Sequence, residues 1–294
     1  MRTAQTASFT PPTPQQVHEL IERHPAHAPS PWASAWPWAV VLVLVVLSAA
    51  VPAPGLSLLP WLGLAGAFAW FAWQRRQFTQ LTTRTQDVQA LATLRRDAQA
   101  LRDAWRLLPK LTRMPPLFGS TVFVIGECLD RLRCYEQAIV VYDHLIDRLP
   151  EDGSDAAMIR LRRAMAELQC DRLLDADDTL RRMKGAVEAG QFAQPVPALY
   201  RLAELMQQVH THHYAEAMHD APRLVRQLRP LGVTAGYGFA LAALACRMLQ
   251  DHAQVAGADD AARRWWSRAT LLVPVTRLTE RFPAVGVLAE ATHE

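Results

Sequence analysis

Between residues 24 and 74 the chain carries no Asp, Glu, Lys or Arg. Glycine is scarce, 13 in 294 residues, and Lys110 and Lys184 are the only lysines, so nearly all positive charge is arginine. No Gly-rich phosphate loop, G-x-S-x-G elbow or HExxH helix occurs, which removes the commonest signatures of nucleotide, acyl-transfer and zinc-hydrolase chemistry. Neither an enzyme nor a cofactor site is expected. The four cysteines (Cys128, Cys134, Cys170, Cys246) form no CxxC pair and sit among apolar neighbours, which fits a reducing compartment and argues against a disulfide framework. A net charge of +3 is too small to argue for nucleic acid.

The charge-free run holds two apolar blocks, Ala35 to Val51 and Leu56 to Trp73, separated by VPAPG. Each has about the ~17 to 20 residues a helix needs to cross a hydrocarbon core. Six of the nine Trp lie in the first 73 residues, at positions suited to the headgroup level. These features predict a two-pass transmembrane hairpin over residues 35–74, in contact with the lipid bilayer. Arg75, Arg76 and Arg84 follow the second block before the first acid, Asp87, so the positive-inside rule puts both the N-terminus and the C-terminal region in the cytoplasm, as for a bacterial inner-membrane protein. Two alternatives compete: a buried Trp-rich hairpin of a soluble protein, and a signal peptide with Ala39 to Leu47 as its apolar core. The second is disfavoured by a polar leader of some 35 residues without a basic start.

Residues 1–34 read as a Pro-rich polar tail around one helical piece, Pro14 to Arg23. Over 75–113 a juxtamembrane amphipathic helix is expected, its stripe formed by Val88, Leu91, Ala98, Leu101, Trp105 and Leu108. It either packs on the next domain or self-associates as a short coiled coil. Met114-Pro115-Pro116 ends it and opens a domain over 114–294.

Within that domain, residues 121–152 (TVFVIGECLDRLRCYEQAIVVYDHLIDRLPED) form two amphipathic helices with Gly126 in the first, Tyr135, Ala138, Ile139 and Tyr142 striping the second, and Pro150 ending it. This pattern resembles a tetratricopeptide repeat, with Val122 in place of the early bulky aromatic and Arg133 in place of the usual turn Gly. Weaker echoes follow at Ala156 to Met183, at Leu202 to Pro230 and at Tyr237 to Pro274, with Thr276 to Ala289 as a closing helix. The expected fold is therefore all-α: a transmembrane hairpin followed by a right-handed α-solenoid of about four degenerate helical hairpins.

The resemblance implies a concave groove, lined by the first helices of successive repeats, that binds peptides or protein surfaces. The groove positions it implies are Phe123, Glu127, Asp130 and Arg131. In the second hairpin Arg160, Arg163 and Glu167 share one helical face. Members that grip a C-terminal carboxylate place Lys and Asn where this chain has Phe123 and Glu127, so that mode is not expected. The cluster His210, His212, His213 and His219 is the one group with ligand chemistry; a turn with solvated or structural histidines is the expectation, a metal or pH-sensing site the alternative. Basic clusters at Arg160–163, Arg181–Lys184 and Arg263–Arg268 have acidic neighbours and read as ion-paired surface, with anionic lipid or an acidic partner as the alternative. The function expected is a membrane-anchored adaptor that recruits protein partners. The competing function is a structural subunit of a larger homo- or hetero-oligomeric membrane complex, packing through Gly63, Ala65, Gly66, Ala67 and Ala69.

Overall fold

In the computed structural model, residues 10–25, 38–43, 46, 59–150, 153–219, 221–253, 255 and 257–290 are described. Among them secondary structure is helical throughout, with no strand, so the all-α class holds. Most of the first apolar block, Ala35 to Val51, lies outside the described residues. The chain divides into two compact units, residues 1–132 and 133–294.

In the first unit, α1 (Pro14–Arg23) starts where the sequence predicts, and the cause is local. Pro14 occupies the first helical position, Thr13 Oγ1 accepts from Gln16 N at 3.2 Å, and Gln16 Oε1 accepts from Thr13 N at 2.9 Å, a reciprocal capping box. Val17 and Ile21, four apart on one face, are fully buried, each contributing roughly 1.5–3 kcal/mol. Next, α2 (Leu59–Thr93) runs unbroken for 35 residues from the second apolar block into polar sequence. Its threonines satisfy themselves: Thr79, Thr82, Thr83, Thr85 and Thr93 each donate to the carbonyl four residues back.

The amphipathic stretch expected to be one helix is two. After Thr93 the backbone reverses, with Arg95 at φ 60° and Arg96 N donating to Leu91 O at 3.0 Å, and α3 (Asp97–Leu107) packs back against α2. The stripe residues Val88, Leu101 and Leu108 are buried by this doubling back within one chain. Pro115 then starts α4 (Pro115–Arg131), which packs on α2 and α3. The division between the compact units falls after Leu132. The sequence-expected repeat over 121–152 straddles it, with α4 in the first unit.

The second unit holds α5 (Tyr135–Ile146), α6 (Ser154–Gln169), α7 (Leu173–Glu188), α8 (Val196–His210), the short α9 (Tyr214–Ala217), α10 (Ala221–Leu228), α11 (Ala235–Ala253), α12 (Ala258–Leu272), α13 (Val275–Arg281) and α14 (Gly286–Glu290). Neighbours in sequence pack in space: α5 on α6, α6 on α7 and α8, α8 on α11, and α11 on α12. Two of its inter-helix turns have the same geometry. Asp171 (φ 58°) and His212 (φ 61°) are left-handed, and the residue after each donates to the carbonyl five back, Arg172 N to Glu167 O at 2.9 Å and His213 N to Gln208 O at 2.8 Å. Arg133, two residues ahead of α5, is left-handed too, at φ 64°. This is Schellman-type termination built without glycine, the residue that ordinarily supplies a left-handed helix end.

Gly190 ends α7 in the same way, at φ 69° with Gln191 N donating to Ala186 O at 3.0 Å, and other glycines sit where helices touch. A Cβ on Gly238 would lie 2.3 Å from Leu228 Cδ1, and one on Gly236 would lie 2.7 Å from Val273 Cγ2. With Ala240, Ala242, Ala243 and Ala245 fully buried, α11 lets its neighbours approach closely. Among the described residues, the run Ala221–His252 is the one helical stretch long and apolar enough to cross a membrane by length and composition, but 61% of its apolar window is buried within the protein. It is the spine of the second unit's core.

Candidate functional site

The groove positions on α4 are engaged inside the first unit. Arg131 Nη1 donates to the Ala92 carbonyl at 2.9 Å and to Asp97 Oδ1 at 3.2 Å, while Nη2 reaches Glu127 Oε2 at 3.3 Å. The side chains of Arg131, Asp97 and Glu127 are 21%, 13% and 16% exposed. The guanidinium therefore caps the carbonyl end of α2 and fixes the first residue of α3. Cys128 beside it has its thiol pushed up to about 12, chiefly by burial, with Asp97 adding and Arg131 opposing. Phe123 and Asp130 are half-buried on the same helix.

On α6, Arg163 Nε lies 2.6 Å from Asp143 Oδ1 of α5, and its Nη2 lies 3.1 Å from Glu167 Oε1. Glu167, expected on the surface of a groove, has no exposed area at all. Neither of its carboxylate oxygens has an aligned hydrogen-bond donor. Burial pushes its carboxyl up to about 7; Arg163 opposes, and Asp175 and Asp143 add. Arg160 is half-buried on the same helix. Glu167 thus lines no surface, because α5 covers it: Tyr135 and Ile139 pack on Ala166 beside it, with Cys170 against them.

The histidines mark the α8–α9 turn, as the sequence suggests. His210 ends α8 and is partly buried, which pulls its pKa down. His212 Nδ1 lies 2.6 Å from Tyr214 Oη, and His213 Nδ1 lies 2.7 Å from Thr211 Oγ1. Among the described residues no group of three His, Cys, Asp or Glu side chains is placed to hold a metal. Within the basic clusters, Arg181 pairs with Asp177, Arg182 with Asp178 at 2.7 Å, and Arg263 with Asp259 and Asp260 at 3.1 and 2.6 Å.

What the sequence reading missed is a cavity of about 740 Å³ walled by α7, α8, α9 and α10. On α8, Arg201, Glu204 and Gln208 recur at spacings of three and four, opposite the buried Leu202, Leu205, Met206 and Val209. Arg201 Nη1 donates to Glu204 Oε2 at 2.5 Å, and the Arg201 side chain is only 12% exposed. Tyr200 is buried, its hydroxyl pushed up to about 12 first by burial and then by Glu204 and Glu188, so it stays protonated. Lys184 pairs with Glu188 at 4.0 Å at the rim. The available signal was the polar stripe on α8; its convergence with Gln227 of α10 is tertiary. Compared with family models, curated proteins and solved structures, the chain matches none.

Proposed function

We propose that this chain is a membrane-anchored adaptor: a two-pass hairpin over residues 35–74 with its N-terminus and C-terminal region in the cytoplasm, and a tetratricopeptide-like helical domain that recruits protein partners to the bilayer. The observation that carries the reading is bare apolar surface at the start of α2. Trp61, Phe68 and Trp73 are 69%, 64% and 53% exposed, and Trp38, from the beginning of the first apolar block, is 53% exposed. Surface of that kind is stable against hydrocarbon and unstable against water. The Trp38 ring packs on Phe71 at 5.8 Å between centroids, bringing the start of one block level with the end of the other, as a hairpin requires.

Sidedness has support from α1. Leu20 and Arg23 of α1 and Leu101 and Trp105 of α3 line one cavity of about 660 Å³. A segment before the spans and a segment after them then share a compartment, which requires an even number of crossings. The repeat reading draws on the left-handed turns at Arg133, Asp171 and His212, since Gly is usual at this turn in the repeats the sequence resembles. Anchoring raises the effective concentration of a modest-affinity surface for membrane-bound partners.

Single cysteines introduced at Gln15, Ser57 and Gln99, with the wild-type chain as the blank, test the topology in intact spheroplasts with a membrane-impermeant maleimide. Label at Ser57 alone is the expected result. Label at Gln99, or release of the chain from membranes by alkaline carbonate, refutes it.

A second reading, a subunit assembled through the hairpin, is favoured by one feature. A Cβ on Gly66 would meet nothing within 4 Å, and Ala65 and Ala69 are exposed beside it, whereas Ala67 is buried. An open small-residue face suits another span. A Gly66→Leu change that dissolves a membrane complex while leaving soluble partners bound supports this reading over the first.

A further inference from the structure

We propose that the face of α2 from Phe68 to Gln80 binds an anionic glycerophospholipid of the cytoplasmic leaflet, with the lipid phosphate at Arg75 and Arg76. This rests on the membrane anchor proposed above and deepens it, turning a general apolar surface into a site for one lipid class. Residues at helical spacing line a cavity of about 580 Å³ along that face. Phe68, Phe71 and Ala72 form its apolar end, Arg75 and Arg76 follow one turn on, and Thr79 and Gln80 lie one turn beyond them.

The order along this stripe is the order of a phospholipid: hydrocarbon, then phosphate, then polar headgroup. At about 1.5 Å per residue the stripe spans roughly 18 Å, which covers the headgroup layer of one leaflet, about 5–8 Å deep, and the chain segment beneath it. The Trp38 ring packs on Phe71 at 5.8 Å, so the other apolar block backs the hydrocarbon end. Trp70 and Trp73, with ring centroids 5.3 Å apart, come just before the arginines, where aromatic side chains mark the headgroup level. Charge then selects the lipid. Arg75 and Arg76 are exposed, and neither guanidinium has a carboxylate partner among the described residues. From residue 24 to 86 the chain holds no Asp or Glu. An ammonium headgroup meets two cations and no anion on this stretch, whereas a phosphodiester with a net negative charge meets both guanidiniums. Beyond them, Thr79 Oγ1 donates to the Arg75 carbonyl at 2.9 Å and keeps its lone pairs to accept, while Gln80 brings both a donor and an acceptor. Neutral hydroxyls, as on a phosphatidylglycerol headgroup, match that end.

The experiment uses the full chain in a mild detergent, titrated with phosphatidylglycerol or with phosphatidylethanolamine of identical acyl chains, the lipid-bound fraction being read by native mass spectrometry. Phosphatidylglycerol is expected to bind more tightly by about tenfold or more, and Arg75→Gln with Arg76→Gln to remove that preference at about fivefold per arginine. Arg75→Lys with Arg76→Lys is expected to keep most of it, and Arg182→Gln, at an exposed position of the second unit, to leave it unchanged. Glycerophosphoglycerol, the same headgroup without acyl chains, is expected not to displace the lipid at equal concentration; displacement would mean a site for soluble phosphodiesters. The proposal is overturned by that displacement, by equal affinity for the two lipids, by a glutamine pair that keeps the preference, or by a lysine pair that loses it as fully, which would mean a damaged helix and not a lost charge. The anchor has its own readout: a chain that resists alkaline carbonate yet shows no lipid preference loses only this site, whereas one released by carbonate loses the anchor and the site together.

Discussion

Replacing Glu167 with Gln removes a carboxylate that the fold holds against its preference. Glu167 is completely buried on α6 where α5 covers it, with Arg163 at 3.1 Å and Arg172 opposing more weakly, and its carboxyl is displaced from 4.5 to about 7. At about 1.4 kcal/mol per pH unit, that is on the order of 3 kcal/mol of pH-dependent stability. The sign follows from which state keeps the proton. Below 4.5 both the folded and unfolded chains hold it, and the contribution is fully present. Between 4.5 and about 7 the unfolded chain releases it while the folded chain retains it, so stability falls as pH rises, and above 7 the loss is complete. Gln cannot titrate, and Arg163 keeps Asp143 at 2.6 Å. Thermal unfolding followed by circular dichroism should therefore give near-coincident wild-type and Glu167→Gln curves at pH 4.5 and a variant that melts higher at pH 8. For a unit of this size the gap is roughly 6–12 °C. Background histidines titrate in both chains and cancel in the difference. Parallel pH profiles, or a variant less stable at pH 8, would refute the argument and mean that the carboxylate is well satisfied as an anion.

Two further outcomes test the packing. Gly238→Ala forces a Cβ within 2.3 Å of Leu228 Cδ1 and should cost about 1–3 kcal/mol in denaturant titrations, despite the better helix propensity of Ala; an unchanged or raised midpoint would show that α11 has slack there. Arg131→Ala strands Asp97 and Glu127 in partly buried positions and uncaps Ala92, so a loss of about 2–3 kcal/mol is expected, whereas the exposed Arg182→Ala should leave the melting temperature unmoved. Equal effects of the two arginine changes would contradict the assignment of Arg131 as an internal clamp.

The helices that announced themselves did so through their ends. Thr13 with Pro14, and Pro115, are local signals, and α1 and α4 begin where those residues dictate. The turn at Leu94 to Arg96 was illegible because neither Gly nor Pro marks it: Arg95 adopts a left-handed backbone, a cost offset by tertiary contacts such as the packing of α3 on α2 and the Arg131 clamp. Asp171 and His212 hide two of the second unit's turns in the same way. Helical phase identified Arg163 and Glu167 as one face, correctly, but phase does not tell solvent from a covering helix. Asp143, Tyr135 and Ile139 of α5 made that face interior. For the same reason, substitutions at Glu127 and Arg131 report on folding and not on partner capture. Gln208 and Gln227 lie on different helices with α9 between them, and no spacing rule brings both residues to the wall of one cavity.

One mechanical property follows from α2. At about 1.5 Å per residue its 35 residues make a rod of roughly 50 Å, with no proline past its first turn and no kink along it. One end is bare tryptophan and phenylalanine; the other is gripped at the Ala92 carbonyl by Arg131. A rod held so cannot swivel at its middle. Any twist or tilt imposed on the apolar end arrives at α3 and α4 as torque on the Arg131 clamp, and any load drawn on α4 is felt at the opposite tip. The first unit is thus a lever with its fulcrum at an ion pair.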